Sequence, residues 1–305
     1  MRKFIFGDSV QGASHKRTGM ECQDSYKKIE CDDGTIILAV ADGHGSKSCP
    51  YSKTGSSIAV NVFCKVMEEF HESYADNIEM LLTYLNREGD TKVAQAVDSE
   101  WKRRVLKVHT NNKRETSLRD DGEKNKQEIF KQYGSTLVGL MITPVFLFAF
   151  QLGDGDISYV DDNGFDQVLH AEKILGTETH SLSKMGSWKK VISAVRRRDC
   201  SKESPSAFMM STDGFANSYK NEDEFKKTCI DYYEMLKQHG AEAVNANLRE
   251  WLIETSEMGC GDDITLLIAY FAEDAAMDDL TEDVLSVSEV EAPGEIEAVK
   301  DEQSE

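Results

Sequence analysis

Short apolar runs separated by turn residues dominate both ends of the chain and predict strands. Residues 1–41 contain three such runs, KFIFGDSV, SYKKIE and TIILAVA, the last two joined by the turn signal DDG. A loop, QGASHKRTGMECQD, is expected between the first two strands. Further along, STLVGLMIT and VFLFAFQL predict a hairpin around Pro144, and DISYVDD with FDQVLHAE predicts another around an Asn-Gly turn. SAFMMSTDG and DDITLLIAYF are two more apolar strands.

Between these runs the apolar residues change to helical spacing. From about Ser52, a stripe of apolar residues recurs every three to four positions, and similar patterns follow near 78–85 and 93–105. Two amphipathic helices are predicted near Asp223–Gln238 and Ala241–Glu257. The order of strands, helices, strands, helices and strand favours an α+β layering over a βαβ repeat.

Two charged stretches lack periodicity. Residues 109–126 are therefore expected to form an exposed loop. Residues 272–305 carry 13 acidic residues and one lysine, with no aromatic residue, so they contribute −12 of the net charge of −20. Such a composition predicts a disordered tail, residues 272–305, after a folded domain spanning residues 1–271.

The acidic balance and the cysteines narrow the class of protein. A surface this negative argues against nucleic acid or an anionic membrane as the main partner. The seven cysteines are scattered without a C-x-x-C pair, which indicates reduced thiols in the cytoplasm. The N-terminus is too weakly apolar for a signal peptide, and the longest apolar run falls short of the roughly 20 residues of a membrane span.

Aspartates stand beside glycine at the ends of the apolar strands. Asp42, Asp154 and Asp213 each follow a strand directly, and Asp262 with Asp263 precedes the last one. A single such Asp, with the neighbouring His of DGHG, is explained by a solvated turn. Four strand ends of this kind predict a shared cation, because buried carboxylates need a compensating charge. Oxygen ligands suit Mg²⁺ or Mn²⁺, and two such ions would suit phosphoester hydrolysis.

The motifs ADGHG, YGSTLVG, LGDGD, STDGF and GDDITLL occur in the same order as in a known family. Together with GASH and ECQDS, they resemble the metal-dependent serine/threonine protein phosphatases of type 2C, bacterial branch, over roughly residues 5–271. The resemblance implies an α+β fold: a four-layer α-β-β-α sandwich of two antiparallel sheets flanked by helices. It also implies hydrolysis of phosphoserine and phosphothreonine in proteins, by a water that bridges two Mg²⁺ or Mn²⁺ ions.

The resemblance assigns metal ligands position by position. Asp42 matches the aspartate that bridges both ions, and Asp154 matches a residue that holds a third ion in some members. Gln23 stands where many relatives have Glu, which should weaken or alter the second metal site. The implied ligands are Asp24, Asp42, the Gly43 carbonyl, Asp154, Asp213 and Asp262.

His44, in ADGHG, matches the residue proposed in the family to protonate the leaving seryl or threonyl oxygen. A side chain that titrates near neutral pH suits that role. The alternative is that His44 only orients a metal-bound water. Asp42 and His44 are thus the expected catalytic residues.

One departure from the family concerns phosphate binding. Most relatives have an arginine where the alignment places Gly19. His15 first and Arg17 second are the candidates to bind phosphate in its place, because a charged donor stabilises a phosphate oxygen. The alternative is that these side chains, and Lys16 between them, are solvated loop charges.

Three readings of function remain at this stage. The first is an active, monomeric phosphatase. Its substrates would be proteins that a serine/threonine kinase has phosphorylated. The second is a pseudophosphatase that serves as a binding or regulatory module, and the third is a two-metal phosphoesterase for small phosphoesters. Residues 177–205 are locally basic. They predict either a flap that steers substrates or a charged strand flank.

Overall fold

The computed structural model describes residues 1–114, 122–169, 179–198, 204–273 and Pro293. Two antiparallel five-stranded sheets stack face to face in these residues, and helices cover both outer faces. The predicted α+β sandwich with four layers is therefore confirmed. No described helix is long and apolar enough to cross a membrane.

The sheets are built from ten strands within the described residues. The first sheet has the order β1-β10-β9-β6-β7, and the second has the order β2-β3-β4-β5-β8. The strands are β1 (Arg2–Val10), β2 (Ser25–Glu30), β3 (Ile36–Ala41), β4 (Leu137–Ile142), β5 (Phe146–Leu152), β6 (Asp156–Asp161), β7 (Gly164–Gln167), β8 (Ile192–Arg197), β9 (Ser206–Ser211) and β10 (Ile264–Ala272).

The helices pack on the outer faces of the sheets. Helices α2 to α5 cover the second sheet, and α7 covers the first. Their bounds are α1 (Ala13–Thr18), α2 (Ser52–Ser73), α3 (Ile78–Glu88), α4 (Ala94–Asn111), α5 (Gly122–Lys131), α6 (Asp213–Ala216) and α7 (Glu222–Met258), with a π-helical turn at Gly89–Val93 and a 3₁₀ turn at Ser187–Lys190.

Strand β3 shows why the central runs are apolar throughout. Ile36, Leu38 and Val40 face the other sheet, in the core between the two sheets. Ile37 and Ala39 point to the opposite side, where the helices cover the sheet. Successive side chains of a strand alternate between faces, so a strand covered on both faces needs apolar residues at every position. All six residues of β3 are buried.

The predicted hairpins are confirmed by the strand register. Ile142 of β4 pairs with Leu147 of β5, and Asp161 of β6 pairs with Gly164 of β7. The two predicted amphipathic helices form α7, which is broken at Gly240. Gly240 has a φ of +82°, a backbone conformation that glycine adopts without the steric cost borne by other residues.

Two stretches differ from the expectations drawn from the sequence. The predicted loop before β2 contains the short helix α1. The edge strand β8 lies within the basic stretch at 177–205, and the choice between a flap and a charged strand flank there stays a prediction. The predicted exposed loop at 109–126 was wrong at both ends, because α4 continues to Asn111 and α5 starts at Gly122. His109 in this stretch is buried, and its Nδ1 lies 3.2 Å from the Tyr133 hydroxyl. Sequence periodicity does not reveal this contact.

The predicted tail lies largely outside the described residues. Strand β10 ends at Ala272, one residue past the predicted boundary at 271. Ala272 pairs with Arg2 of β1. The division into a domain at 1–271 and a tail at 272–305 stays a prediction.

Candidate metal centre

The strand register places the aspartates at one end of the sandwich. The last residues of β3 and β5 lie at the same end of the second sheet, because both pair with the start of β4. In the first sheet, the end of β9 pairs with the start of β10, as Ser211 with Leu266. The two ends lie together, because the charges of Asp154, Asp213 and Asp262 all act on Asp42.

Asp42 lies at the centre of this group. Burial raises its pKa well above the ordinary value, and the negative charges of four other aspartates raise it further: Asp24, Asp213, Asp262 and Asp154. The Asp42 backbone is fixed by Thr136, whose hydroxyl accepts a 2.9 Å hydrogen bond from the Asp42 N–H. The Thr136 N–H donates in turn to the Asp42 carbonyl, also at 2.9 Å. Carboxylates gathered in this way would be stabilised by a divalent cation, which would offset their mutual repulsion.

Asp24 is the most deeply buried carboxylate of the five, with 5% of the residue exposed. Burial raises its pKa to about 8, as do the charges of Asp263 and Asp213. Its Oδ2 accepts hydrogen bonds from the hydroxyls of Thr212 at 2.6 Å and Thr265 at 2.9 Å, which act in the opposite direction. Its Oδ1 is buried and has no hydrogen-bond partner among the described residues. This orphaned oxygen is available to a cation.

Each of the other three carboxylates accepts a hydrogen bond from a neighbouring donor. The Thr179 hydroxyl donates to Asp154 Oδ2 at 2.7 Å, and Asn217 Nδ2 donates to Asp213 Oδ2 at 3.0 Å. Asp262 Oδ1 accepts a 2.8 Å hydrogen bond from the backbone N–H of the following residue. Burial also raises the pKa of Asp262.

Gln23 and Gly43 supply neutral oxygens beside the carboxylates. Gly43 is buried and forms an isolated bridge with Ser135, and a Cβ atom added to it would lie 2.8 Å from the Gln23 carbonyl oxygen. That carbonyl accepts a 2.5 Å hydrogen bond from the Ser56 hydroxyl. The side-chain Oε1 of Gln23 is buried and has no hydrogen-bond partner among the described residues. A neutral oxygen can ligate a hard cation, but it attracts the cation less than a carboxylate would.

Asp263 is the residue whose role the sequence did not reveal. It is 3% exposed, and its Oδ1 accepts a 2.7 Å hydrogen bond from the Gly12 N–H, while Oδ2 accepts one of the same length from the Gln23 N–H. Its Oδ1 also lies 2.9 Å from Nδ1 of His15. Asp263 therefore fastens the segment between β1 and β2 to the start of β10. Its only sequence signal was a second Asp directly before an apolar strand.

His44 is half-buried in the loop that leaves Gly43. Its backbone N–H donates a 3.2 Å hydrogen bond to the Gly134 carbonyl. Its ring packs against Gly134, where a Cβ atom would lie only 2.6 Å from His44 Cδ2. Gly134, in the YGSTLVG motif, thus leaves room for the imidazole of His44. His44 follows Asp42 by two residues in the sequence.

Of the two predicted phosphate ligands, only His15 is brought to the carboxylates. Both residues lie in α1. His15 Nδ1 faces Asp263 as described above, and its Nε2 lies 3.8 Å from Asp262 Oδ1. Arg17 is exposed, and its side chain has no hydrogen-bond or ion-pair partner among the described residues. Lys16, between them, lies 3.7 Å from Glu257.

The donor set fits a hard divalent cation. It consists of oxygen atoms, and it includes buried oxygens without partners at Asp24 and Gln23. Mutual repulsion and burial penalise the ionised carboxylates, and a bound cation would reverse that penalty.

A family profile described as protein phosphatase 2C matches residues 11–253, most of the chain. The chain belongs to the protein phosphatase 2C family. The class predicted from the motifs, a protein serine/threonine phosphatase, is thereby confirmed. Comparison of the sequence with curated proteins finds no significant match.

Solved structures of bacterial phosphatases share the fold at low sequence identity. A serine/threonine phosphatase of S. agalactiae is 15% identical, with a TM-score of 0.54 over 89% of this chain and 100% of that one. A bacterial serine phosphatase is 11% identical, with a TM-score of 0.56 over 90% and 100%. The catalytic domain of PstP, in complex with two manganese ions, is 13% identical, with a TM-score of 0.51 over 89% and 99%.

Proposed function

We propose that this protein hydrolyses phosphoserine and phosphothreonine in proteins with the help of bound Mg²⁺ or Mn²⁺ ions. The observation that carries the proposal is the position of Asp42, whose pKa is raised by burial and by four other aspartates around it. The proposed ligands are Asp24, Asp42, the Gly43 carbonyl, Asp154, Asp213 and Asp262. The manganese ions of PstP, which has the same fold, support two ions.

When bound, two such ions neutralise phosphoryl oxygens and lower the pKa of a water molecule so that it can attack phosphorus. The contribution of the chain is to hold its carboxylates ready. Thr136 fixes the backbone of Asp42, while Thr212 and Thr265 leave only Oδ1 of Asp24 free. Preorganisation of this kind avoids the cost of gathering like charges when substrate arrives.

His44 is proposed as the general acid. An imidazolium N–H there would give its proton to the seryl or threonyl oxygen as the P–O bond breaks. The contact with Gly134 restricts where the ring can lie. His15 is proposed to bind a phosphate oxygen, since its Nε2 faces the half-exposed Asp262; Arg17, which is exposed, is the second candidate.

The proposed substrates are proteins that a serine/threonine kinase has phosphorylated in the cytoplasm. The chain is proposed to act as a monomer. Two observations favour the alternative of a pseudophosphatase: the neutral Gln23 where a carboxylate is expected, and Gly19 where most relatives have an arginine. We therefore expect the affinity for the second ion to be lower than for the first, because an amide oxygen carries no net charge.

The deciding experiment measures Mn²⁺-dependent hydrolysis of p-nitrophenyl phosphate, a phosphoseryl peptide and a nucleoside triphosphate by the purified chain. We expect turnover of the first two and loss of at least about a hundredfold in Asp42→Asn, because the bridging charge is removed while side-chain size is kept. Metal binding measured by calorimetry should weaken in parallel. A wild-type chain that binds Mn²⁺ without turnover would establish the pseudophosphatase, and preference for the nucleotide would establish the small-phosphoester reading.

Leaving groups separate the two roles of His44. An aryl phosphate leaves as a stable phenolate and needs little protonation, whereas a seryl oxygen needs a proton. His44→Gln should therefore lower turnover of the phosphoseryl peptide by about a hundredfold, and that of p-nitrophenyl phosphate far less. An equal loss on both substrates would assign His44 to orienting the attacking water.

A further inference from the structure

A second group of metal-ligating side chains lies away from the aspartate centre. Cys31 and Asp33 stand in the turn between β2 and β3, and His71 stands in the last turn of α2. One ligand atom from each of the three lies within 4.8 Å of the others. We call this group the turn cluster.

The local structure holds these ligands in place. The Cys31 N–H donates a 2.8 Å hydrogen bond to the Thr35 carbonyl, and the Thr35 N–H donates one of 2.9 Å to Asp33 Oδ1. His71 is buried, and its Nε2 lies 2.8 Å from Asp33 Oδ2. The turn is thus held by its own hydrogen bonds and is joined to α2 through His71.

The surroundings of Cys31 are strongly negative. Burial raises the pKa of its thiol, and the charges of Asp33, Glu68, Asp32 and Glu72 raise it further. A bound cation would stabilise the thiolate of Cys31 against these charges. The same carboxylates attract cations to this spot.

Glu68 is a fourth candidate ligand, outside the group of three whose ligand atoms lie within 4.8 Å of one another. It lies three residues before His71 in α2, so both side chains project from one face of the helix. Glu68 is half-buried and close enough to Cys31 to affect its pKa. A Glu-x-x-His pair on a helix is a common way of presenting a carboxylate and an imidazole to one metal.

The turn cluster is far from the aspartate centre. Strands β2 and β3 have six residues each, and both have the aspartate centre at one end and the turn cluster at the other. At about 3.3 Å per residue, roughly 20 Å separate the two groups. A ligand of one group cannot serve the other.

We propose that the turn cluster is a binding site for Zn²⁺, ligated by the Cys31 thiolate, the Asp33 carboxylate and the His71 imidazole, with Glu68 as the fourth ligand. Thiolate and imidazole select Zn²⁺ over Mg²⁺ and Mn²⁺, and four ligands suit its tetrahedral coordination. Binding releases the Cys31 proton to solvent and moves the His71 proton off Nε2, to Nδ1 or to solvent, so that Nε2 binds the ion in place of its hydrogen bond to Asp33. The ion would tie the β2–β3 turn to the end of α2, and so stabilise the fold without entering the reaction.

Co²⁺ is the probe, because a cysteine thiolate bound to Co²⁺ gives a charge-transfer band in the near ultraviolet, and carboxylate sites do not. The full chain, reduced and freed of metal, is titrated with Co²⁺ and then with Zn²⁺. We expect the band to appear, to be abolished by Zn²⁺, and to be absent in Cys31→Ser. His71→Gln keeps the thiol and should shift half-saturation to more than about tenfold higher Co²⁺.

Two cysteines near the aspartate centre provide matched controls. Cys22 and Cys260 both lie close enough to its aspartates for those charges to affect their pKa values. Cys22→Ser and Cys260→Ser should keep the band, and so should Asp42→Asn, in which the aspartate centre is impaired. Absence of the band in the wild type, or its survival in Cys31→Ser, would overturn the proposal and leave an ordinary ion pair between His71 and Asp33. Failure of the phosphatase assays would leave this result unaffected.

Discussion

Asp263 Oδ2 accepts a 2.7 Å hydrogen bond from the backbone N–H of Gln23, 240 residues away in the chain. The other oxygen of the same carboxylate accepts from the Gly12 N–H. Through these two bonds, the start of β10 holds the segment that carries Asp24 into the aspartate centre. Asp263 therefore works through other residues, while its neighbour Asp262 is a proposed metal ligand.

The two adjacent aspartates should respond differently to removal of their charge. In Asp263→Asn, the amide NH₂ would face a backbone N–H, so we expect the free energy of unfolding to fall by about 1–3 kcal/mol. In Asp262→Asn, which is half-exposed, we expect little loss of stability and a clear loss of Mn²⁺ affinity. Urea unfolding in the presence of a chelator and calorimetry with Mn²⁺ measure the two effects. Equal destabilisation by both substitutions would contradict this division.

Gly134→Ala tests the packing that positions His44. The added methyl group would lie 2.6 Å from the imidazole Cδ2 and must displace the ring. We expect turnover of a phosphoseryl peptide to fall at least about tenfold, because a displaced acid no longer reaches the leaving oxygen. Affinity for Mn²⁺ should stay within about twofold. The double variant Gly134→Ala/His44→Gln should lose no more activity than His44→Gln, and additive losses would show that Gly134 acts elsewhere.

The stability of the metal-free protein should depend on pH through Asp24. Its pKa is raised by burial from 3.8 to about 8, so the folded state holds a proton that the unfolded state releases. The stabilisation is complete below the unfolded pKa, and it is lost as the pH rises through the folded pKa. In a chelator, the free energy of unfolding should therefore fall between pH 6 and pH 8.

Asp24→Asn is the control for this pH dependence. The slope should become shallower in this variant without vanishing, because the pKa of Asp42 is raised as well. Mn²⁺ should restore stability at pH 8 in the wild type by neutralising the carboxylates. Urea unfolding at three pH values, with and without Mn²⁺, checks this. A wild-type stability that rises from pH 6 to pH 8 in chelator would refute it.

His15→Ala and Arg17→Ala decide which residue binds phosphate. Loss of a charged hydrogen bond to phosphate should change kcat/KM by about tenfold or more. We expect this loss for His15→Ala, which faces Asp262, and a smaller one for Arg17→Ala, which is exposed. His15→Gln, which keeps a donor near the same place, should recover part of the activity. Wild-type kinetics in both alanine variants would leave phosphate binding to the metal ions alone.

Much of the site was readable from local sequence because the aspartates stand directly at strand ends. Asp42, Asp154 and Asp213 each follow a buried run, and an antiparallel sandwich leaves few ways of arranging such ends. By contrast, the role of Asp263 depends on donors at Gly12 and Gln23, which lie far away in the chain. No periodicity within β10 reports those partners.

The turn cluster also depends on a contact between residues that are distant in the sequence. Cys31 and Asp33 are close in sequence, but His71 reaches them only because α2 runs the length of the second sheet. Likewise, α1 forms within a predicted loop, where the Ala13 N–H donates to the Ser256 hydroxyl and the Ser14 N–H donates to the Gly261 carbonyl.

The sequence by itself determined the strands, most of the helices, the break at Gly240 and the positions of the aspartates at strand ends. Each of these depends on hydrophobic spacing or on the conformational preference of a single residue. Only the tertiary structure decided which polar groups meet. Their pairing depends on strand register and helix docking, and these are fixed by the burial of apolar residues elsewhere in the chain.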